Sequence, residues 1–213
     1  MATRYRTQCL IVKKDDKGES DQIFSVYTKD FGRLNILGKA IRKNASKLRG
    51  GADLFYFSDI EFIQGKAQKI LTEATVIDSC LNIRKDLRRM TVAYQITDIL
   101  DGMIPKEERD EQIWHLINEI FYKLDIWQIG KLEILYYYFF WNLAAILGYQ
   151  PALTHNSLGG EQIDGDLAKI LKLLFQKDWP ILAKLKIEPN HIELLKNTSE
   201  WYNKNTITAN YEK

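Results

Sequence analysis

The sequence predicts an α+β fold in which a small β-barrel precedes an all-helical region, and two observations support this prediction. Up to residue 78, the 213-residue chain consists of short runs of β-branched and aromatic residues separated by turn-forming residues. From residue 79, apolar residues recur at helical spacing instead. We therefore expect two domains, residues 1–78 and residues 79–213.

The strand-rich part contains five runs, which read YRTQCLIVKK, DQIFSVYTKD, GRLNILGKA, DLFYFSDIEFIQG and AQKILTEATVID. Five short strands with a longer break after the third suit an oligonucleotide/oligosaccharide-binding (OB) fold, a five-stranded barrel that commonly binds nucleic acid. The triplet Asp30-Phe31-Gly32 is expected to turn a hairpin, with Gly32 at a positive φ. The first domain is thus predicted to be an OB-fold nucleic-acid-binding domain.

The helical part begins with LNIRKDLRRMTVAYQITDILDGM, which predicts one continuous helix. A second helix, KEERDEQIWHLINEIFYKLD, has the acidic first turn that a helix dipole favours. A third, IGKLEILYYYFFWNLAAILGY, includes the most apolar window, residues 134–147. That window is shorter than the roughly 18 residues needed to span a bilayer, so it predicts a buried helix. Further helical segments are DGDLAKILKLLFQKD, DWPILAKLK and EPNHIELLKNTSEWYNKN.

Positive charge is concentrated in residues 28–51, TKDFGRLNILGKAIRKNASKLRGG. Seven basic side chains and one acidic side chain give this segment a net charge of +6, while the whole chain carries +2. A local basic patch on a nearly neutral chain indicates a surface that binds polyanions. Basic side chains neutralise phosphates and release counterions, and we expect about five phosphates to be held here. The candidate phosphate-binding residues are Arg33, Lys39, Arg42, Lys43, Lys47 and Arg49.

A second basic group contains Arg84, Lys85, Arg88 and Arg89. On a continuous helix, Arg84/Arg88 and Lys85/Arg89 would form i,i+4 pairs on adjacent faces, and Arg84 and Arg88 would extend the basic surface. The alternative is an ordinary solvated helix face. Several aromatic residues could include base-stacking platforms, although strand alternation sends about half of such residues into a barrel core. They are Tyr5, Tyr27, Phe31, Phe55, Tyr56 and Phe57.

Several motifs that would indicate enzymatic chemistry fail on spacing or on missing partners. The Asp-Phe-Gly triplet lacks the catalytic-loop and lysine elements of a kinase, and GRLNILGKA has neither the glycine spacing nor the hydroxyl residue of a phosphate loop. The three histidines have no partner at metal-binding spacing. We therefore predict a non-enzymatic protein without a cofactor or bound metal.

The two cysteines, Cys9 and Cys80, are unsuited to a disulfide framework, which favours a reducing compartment. The polar, basic start MATRYRTQ is not expected to act as a secretory signal. We expect a cytoplasmic, nucleoid-associated protein that does not bind membranes.

Three stretches make the chain similar to the RecO family of bacterial recombination mediators. IFSVYTKDFGRLNILGKA resembles the family's apolar strand, Thr-x-x-(Phe/Tyr)-Gly turn and following strand. RKNASKLRGGADLFYF resembles its basic loop and fourth strand, and LGYQPAL resembles the segment that ends a central helix. The resemblance extends to about residue 153.

One departure from that family concerns metal binding. Many members continue with Cys-x-x-Cys pairs that form a zinc knuckle. Here THNSLGGEQIDGD follows, Asn156 and Gly159 occupy the positions of the first pair, and no cysteine lies beyond Cys80. The resemblance is therefore to a branch without zinc.

The resemblance implies a mediator of DNA repair and homologous recombination. Such a protein binds single- and double-stranded DNA through its OB domain and anneals complementary strands. Its partners would be RecR, the acidic C-terminal tail of single-strand-binding protein and, indirectly, RecA. Two alternatives stay open from the residues themselves: an RNA-binding or translation-related OB module, and an interaction protein whose basic loop docks an acidic protein.

Overall fold

The computed structural model describes residues 3–104, 107–127 and 131–208. The chain divides after Ile126 into two compact units. The first unit contains the strand-rich region and the first three helices, so it extends beyond the change from strand to helix near residue 78. The division into domains 1–78 and 79–213 therefore stays a prediction.

The first unit is built around a closed five-stranded barrel, which confirms the predicted α+β class and the OB architecture. Around the barrel the strands follow the order β1-β2-β3-β5-β4. β3 and β5 are parallel, and the other neighbours are antiparallel. The strands are β1 (Arg4–Lys17), β2 (Asp21–Thr28), β3 (Gly32–Gly38), β4 (Phe57–Gln64) and β5 (Lys69–Asp78).

Side-chain alternation fills the barrel with apolar residues. Phe24, Val26, Leu34, Ile36 and Ile60 are buried there, as expected where every second side chain of a strand faces inward. The turn between β2 and β3 has the predicted form, because Gly32 has a φ of +63°. The hydroxyl of Thr28 closes the turn, accepting from the Phe31 amide at 3.0 Å and donating to the Gly32 carbonyl at 2.7 Å.

The first predicted helix is two helices, α1 (Leu81–Lys85) and α2 (Leu87–Met103). Asp86 lies between them in an extended conformation, and its carboxylate accepts a hydrogen bond from the Arg89 amide as an N-cap. The prediction of one continuous helix with i,i+4 basic pairs is therefore wrong. The hydrogen bond that the Asp86 carboxylate accepts as an N-cap stabilises the extended conformation at residue 86 over a continuous helix.

The third helix of this unit, α3 (Glu111–Ile126), starts five residues later than predicted from KEERDEQ. The carboxylate of Asp110 accepts from the amides of Gln112 and Ile113, so it satisfies donors that a helix start leaves open. Pro105 and Lys106 lie outside the described residues.

Aromatic packing joins the barrel to α3. The ring of Phe57 lies 6.1 Å from that of Trp114 and 5.8 Å from that of Phe121, both in edge-on contact, and Phe55 also contacts Phe121. Edge-on pairs add to the stability gained from burial. The barrel and this helix therefore share one core.

The second unit is mainly helical, with a short two-stranded hairpin that the sequence did not predict. Its helices are α4 (Leu132–Ile146), α5 (Gly165–Gln176), α6 (Trp179–Lys184) and α7 (Pro189–Tyr202), followed by a π-helical segment, Asn203–Thr208. The hairpin pairs β6 (Ser157–Leu158) with β7 (Glu161–Gln162).

The helix α4 lies at the centre of this unit and is buried on almost every side, which confirms the predicted buried helix. The Trp141 ring contacts that of Tyr202, and the Asn142 amide donates to carbonyls of both α4 and α5. Within the described ranges, no helix has the length and apolar character that a membrane span requires.

Candidate nucleic-acid interface

The basic loop, residues 39–51, connects β3 towards β4 and is anchored by apolar residues. Ile41 is buried in the barrel core, and Leu48 packs against that core. The amide of Arg42 donates to the Ser20 carbonyl at 3.0 Å, which ties the loop to the β1–β2 turn. The loop is therefore held by its apolar side chains and backbone, while its charged side chains extend into solvent.

Gly51 ends the loop where it presses against β5. A Cβ atom at this position would lie 2.0 Å from the Ala74 carbonyl oxygen, a distance that only glycine avoids. The Gly51 carbonyl also accepts from the Ser58 hydroxyl at 2.7 Å. This contact fixes the end of the loop on the barrel wall.

Four of the five basic side chains in the loop are available for binding. They are exposed and form no ion pair within the part of the chain that the structure describes: Lys39, Lys43, Lys47 and Arg49. The fifth, Arg42, has Nη1 3.0 Å from Asp16 Oδ2 in a partly exposed pair. The loop therefore presents a set of closely spaced, uncompensated cations.

Arg33 lies apart from this set. Its Nη1 donates to the Asp101 carbonyl at 2.8 Å, and its Nη2 lies 2.7 Å from Asp101 Oδ1. The Arg33 side chain is only 16% exposed. It therefore links β3 to α2, and its charge is compensated inside the unit.

Arg84 is also engaged within the fold. It donates to a carboxylate oxygen of Asp53, and its guanidinium lies 4.6 Å from the centre of the Tyr56 ring. Asp53 accepts from Lys14 and from the Leu54 amide as well. Burial alone would raise the pKa of Asp53, but the hydrogen bonds from Lys14 and Leu54 and the charges of Lys14 and Arg84 outweigh it and lower that pKa.

The α1–α2 basic group is the second set of cations, Arg84, Lys85, Arg88 and Arg89. Arg89 is buried and donates to the Leu124 carbonyl of α3. Arg88 and Lys85 are exposed. Of the two predicted binding residues in this group, Arg88 is accessible, while Arg84 holds the barrel against α1.

The candidate stacking residues fall into two classes. Tyr27, Phe55 and Phe57 are buried, as expected for barrel and interface core. Tyr5, Phe31 and Tyr56 are partly exposed. Sequence reasoning missed that Phe62 stacks with Tyr5, because this contact depends on the β1–β4 register, which pairs residues 57 positions apart.

The position of the family's zinc knuckle does not fit a zinc site in this chain. Asn156 precedes the β6–β7 hairpin and Gly159 lies in its turn, and neither offers a thiolate. Within the described residues, no group of three or more His, Cys, Asp or Glu side chains is placed to hold a metal ion. Cys9 and Cys80 are buried in the first unit, and burial raises both pKa values, that of Cys80 to about 12.

Comparison with known families assigns both parts of the chain to the same group of proteins. Residues 1–80 match the family model described as recombination protein O N terminal, and residues 84–169 match that described as recombination protein O C terminal.

Three similar curated proteins are each named DNA repair protein RecO. A protein named DNA repair protein RecO from Dehalococcoides mccartyi is 28% identical, over 86% of this chain and 83% of its own length. Another from a second strain is 32% identical over 70% of this chain and 58% of its own length. A third, from Acetivibrio thermocellus, is 23% identical over 98% of this chain and 94% of its own length.

Proposed function

The chain belongs to the RecO family, and from this premise we propose that it is a DNA repair and recombination protein that binds DNA through its basic loop and anneals complementary strands. The observation that carries the proposal is the set of four exposed, uncompensated cations on an OB barrel. Each relative described above is named as a DNA repair protein. Binding by such a loop would be sequence-independent, because phosphate contacts fix position and carry no base information.

Charge neutralisation gives the mechanism of annealing. Two strands repel each other through their phosphates, and cations bound to both lower this repulsion while base pairs form. We expect four phosphates to be neutralised. A plot of the logarithm of the single-strand binding constant against the logarithm of the salt concentration should then have a slope of roughly −3. The affinity should then fall about 50-fold between about 50 and 200 mM salt.

The deciding experiment removes the four cations together. A Lys39→Ala/Lys43→Ala/Lys47→Ala/Arg49→Ala variant should lose on the order of 1,000-fold in oligonucleotide affinity at about 50 mM salt, and most of the salt slope, because counterion release supplies the binding free energy. Fluorescence anisotropy with a labelled oligonucleotide measures both quantities. The matched control replaces four exposed lysines of the second unit: Lys184, Lys186, Lys196 and Lys204.

The control variant should bind as the wild type does. A folded loop variant that binds and anneals normally would remove the proposal. Competition between matched RNA and DNA strands tests the RNA-binding alternative, in which 2′-hydroxyl contacts would favour RNA. Failure of the wild type to bind either strand at low salt would favour docking of an acidic protein instead.

For partners, we propose that the second unit binds the acidic tail of single-strand-binding protein, and that RecR and, indirectly, RecA act with the chain. A cavity of about 590 Å³ in this unit supports the tail-binding part of the proposal. Its lining combines the apolar side chains of Pro151, Leu153 and Phe175 with two lysines. Lys172 is exposed, and the Lys169 ammonium lies 2.7 Å from an Asp166 carboxylate oxygen. An acidic, partly apolar peptide requires both features.

A tail peptide tests this pocket directly. Lys172→Glu should weaken binding of the labelled peptide about 10-fold by placing like charges together, whereas Lys196→Glu, elsewhere on the same unit, should not. A peptide that does not bind the wild-type protein would exclude the pocket. Annealing of strands coated with single-strand-binding protein then tests the mediator role.

A further inference from the structure

The barrel wall opens beside the first half of β3. β3 pairs with β5 at Ile36 and Leu37, and the Arg33 carbonyl accepts instead from the Glu107 amide at 3.1 Å. Two adjoining cavities, of about 320 and 290 Å³, lie along this opening and share the lining residues Leu34, Gln64, Lys69 and Glu107. Together they form one cleft between β3 and the β4–β5 connection.

An aromatic cluster lines the inner part of this cleft. Tyr5 faces Phe62 across the β1–β4 pair, and their rings are stacked at 5.4 Å with an interplanar angle of 20°. Phe31 meets both rings edge-on, at 5.7 and 5.6 Å. Phe62 is buried, whereas Tyr5 is 36% exposed. The three rings therefore pack against one another, and Tyr5 is the ring that is most exposed to solvent in the cleft.

Polar groups surround the aromatic surface. The Asp30 carboxylate, held by the Thr7 hydroxyl at 2.8 Å, and the exposed Gln64 amide can exchange hydrogen bonds with a flat heterocycle. Arg109 lines the same cavity, and the Lys69 ammonium lies there 2.6 Å from a Glu107 carboxylate oxygen. Lys66 is exposed on the β4–β5 connection. Lys66 and Arg109 thus supply exposed cations beside the cleft, whereas the charge of Lys69 is compensated by Glu107.

We propose that this cleft binds an unpaired nucleobase of a single strand, stacked against Tyr5. The inference rests on the proposed function, since the basic loop holds the strand that delivers the base. Three observations favour a base as the occupant. OB barrels bind oligonucleotides at the β2–β3 face and the β4–β5 loop, beside which this cleft lies. Each cavity is near the lower limit of ligand-site volumes. Aromatic rings accept every base.

The cleft therefore adds a base-dependent contribution to a loop that recognises phosphates. In a duplex the bases are paired and stacked, so they cannot enter the cleft, and this contribution is available to single strands alone. The loop would hold both strand types, whereas the cleft would favour the unpaired one.

The test separates base contacts from phosphate contacts. A thymidine oligonucleotide is compared with an abasic oligonucleotide of the same length, which keeps the phosphates and lacks the bases. The wild type should bind the base-bearing strand about 10-fold more tightly. Tyr5→Leu, which keeps an apolar side chain but removes the aromatic face, should lose this preference and keep the salt slope. Tyr5→Trp should retain the preference.

Tyr122→Leu, on the exposed face of α3, is the matched control and should behave as the wild type. Equal affinity of the wild type for both strands, or a full preference in Tyr5→Leu, would overturn the inference. Stronger competition by an aromatic peptide than by a thymidine strand would overturn it too, by assigning the cleft to a protein ligand. Absence of binding to both strands at low salt would instead defeat the proposed function.

Discussion

The basic loop and the α1–α2 basic group are similarly rich in lysine and arginine, but the fold uses their charges differently. In the loop, four cations extend into solvent without an ion pair among the described residues. In the α1–α2 basic group, Arg84 is held by Asp53 and Arg89 donates to the Leu124 carbonyl. A high density of basic residues therefore does not by itself predict a binding surface. The two groups differ in whether the described residues supply compensating acceptors.

The surroundings explain the difference. The loop is anchored by the apolar side chains of Ile41 and Leu48, which leaves most of its cations without a packing role. The α1–α2 group lies between the barrel and α3, where a buried cation needs an acceptor because desolvation without one is costly. The exposed cations of the loop are thus available to bind phosphate, whereas Arg84 and Arg89 of the α1–α2 basic group are engaged in contacts within the fold.

Charge reversal should give the largest contrast between the two regions. Lys43→Glu/Lys47→Glu should lower oligonucleotide affinity about 100-fold at about 100 mM salt, by losing two phosphate contacts and adding repulsion. Lys85→Glu/Arg88→Glu makes the same change in net charge and should lower affinity about 5-fold or less. Its charges would act on the bound DNA from a distance, where salt screens the interaction. Anisotropy titrations of both variants provide the comparison. Equal losses would show that Arg88 contacts DNA as directly as the loop does.

Stability should separate the buried from the exposed cations within the α1–α2 basic group. Arg89→Met removes a charged hydrogen-bond donor from a buried carbonyl and should cost about 2 kcal/mol of unfolding free energy. Arg88→Met, one residue away on the exposed side, should change it by less than about 0.5 kcal/mol. Urea unfolding monitored by circular dichroism measures both. A cost at Arg89 no larger than that at Arg88 would mean that the buried guanidinium is not structural.

The barrel could be predicted from the sequence because strand alternation and turn residues are local signals. The DFG turn is an example, since Gly32 needs a positive φ whatever surrounds it. The break at Asp86 was missed because a capping aspartate within a charged run looks like one more polar helix residue. Contacts between residues that are far apart in the sequence could not be predicted, because they leave no signal in the local sequence pattern. Arg33 finds Asp101, and Tyr5 finds Phe62, only after the fold brings them together.

The Asp53 network should have a smaller, pH-dependent effect. Asp53→Asn should cost about 1 kcal/mol at pH 7, since the carboxylate is partly exposed and its ion pairs are screened. The folded-state pKa of Asp53 is lowered, so its contribution is complete above the ordinary value of about 3.8 and is lost as the pH falls through the lower folded value. Urea unfolding at pH 7 and pH 3 should therefore give a difference that shrinks in acid.

Asp98→Asn, at an exposed position of α2, provides the control and should change the unfolding free energy by less than about 0.5 kcal/mol. A difference between wild type and Asp53→Asn that stays constant from pH 7 to pH 3 would contradict the role of the ionised carboxylate.

Arg42 provides the smallest and most selective test, because it is the loop cation with a carboxylate partner. Asp16→Asn removes that partner and should raise oligonucleotide affinity about 3-fold at about 100 mM salt, and should steepen the salt slope by up to about 0.7, the contribution of one more phosphate. Asp15→Asn is the matched control, because Asp15 pairs with Lys13, outside the basic loop. Both variants lose one negative charge. Each variant also releases one paired cation, Lys13 on β1 or Arg42 in the loop. Equal gains in affinity would therefore indicate an effect of net charge alone, whereas a gain in Asp16→Asn alone would show that the loop cation Arg42 contacts phosphate.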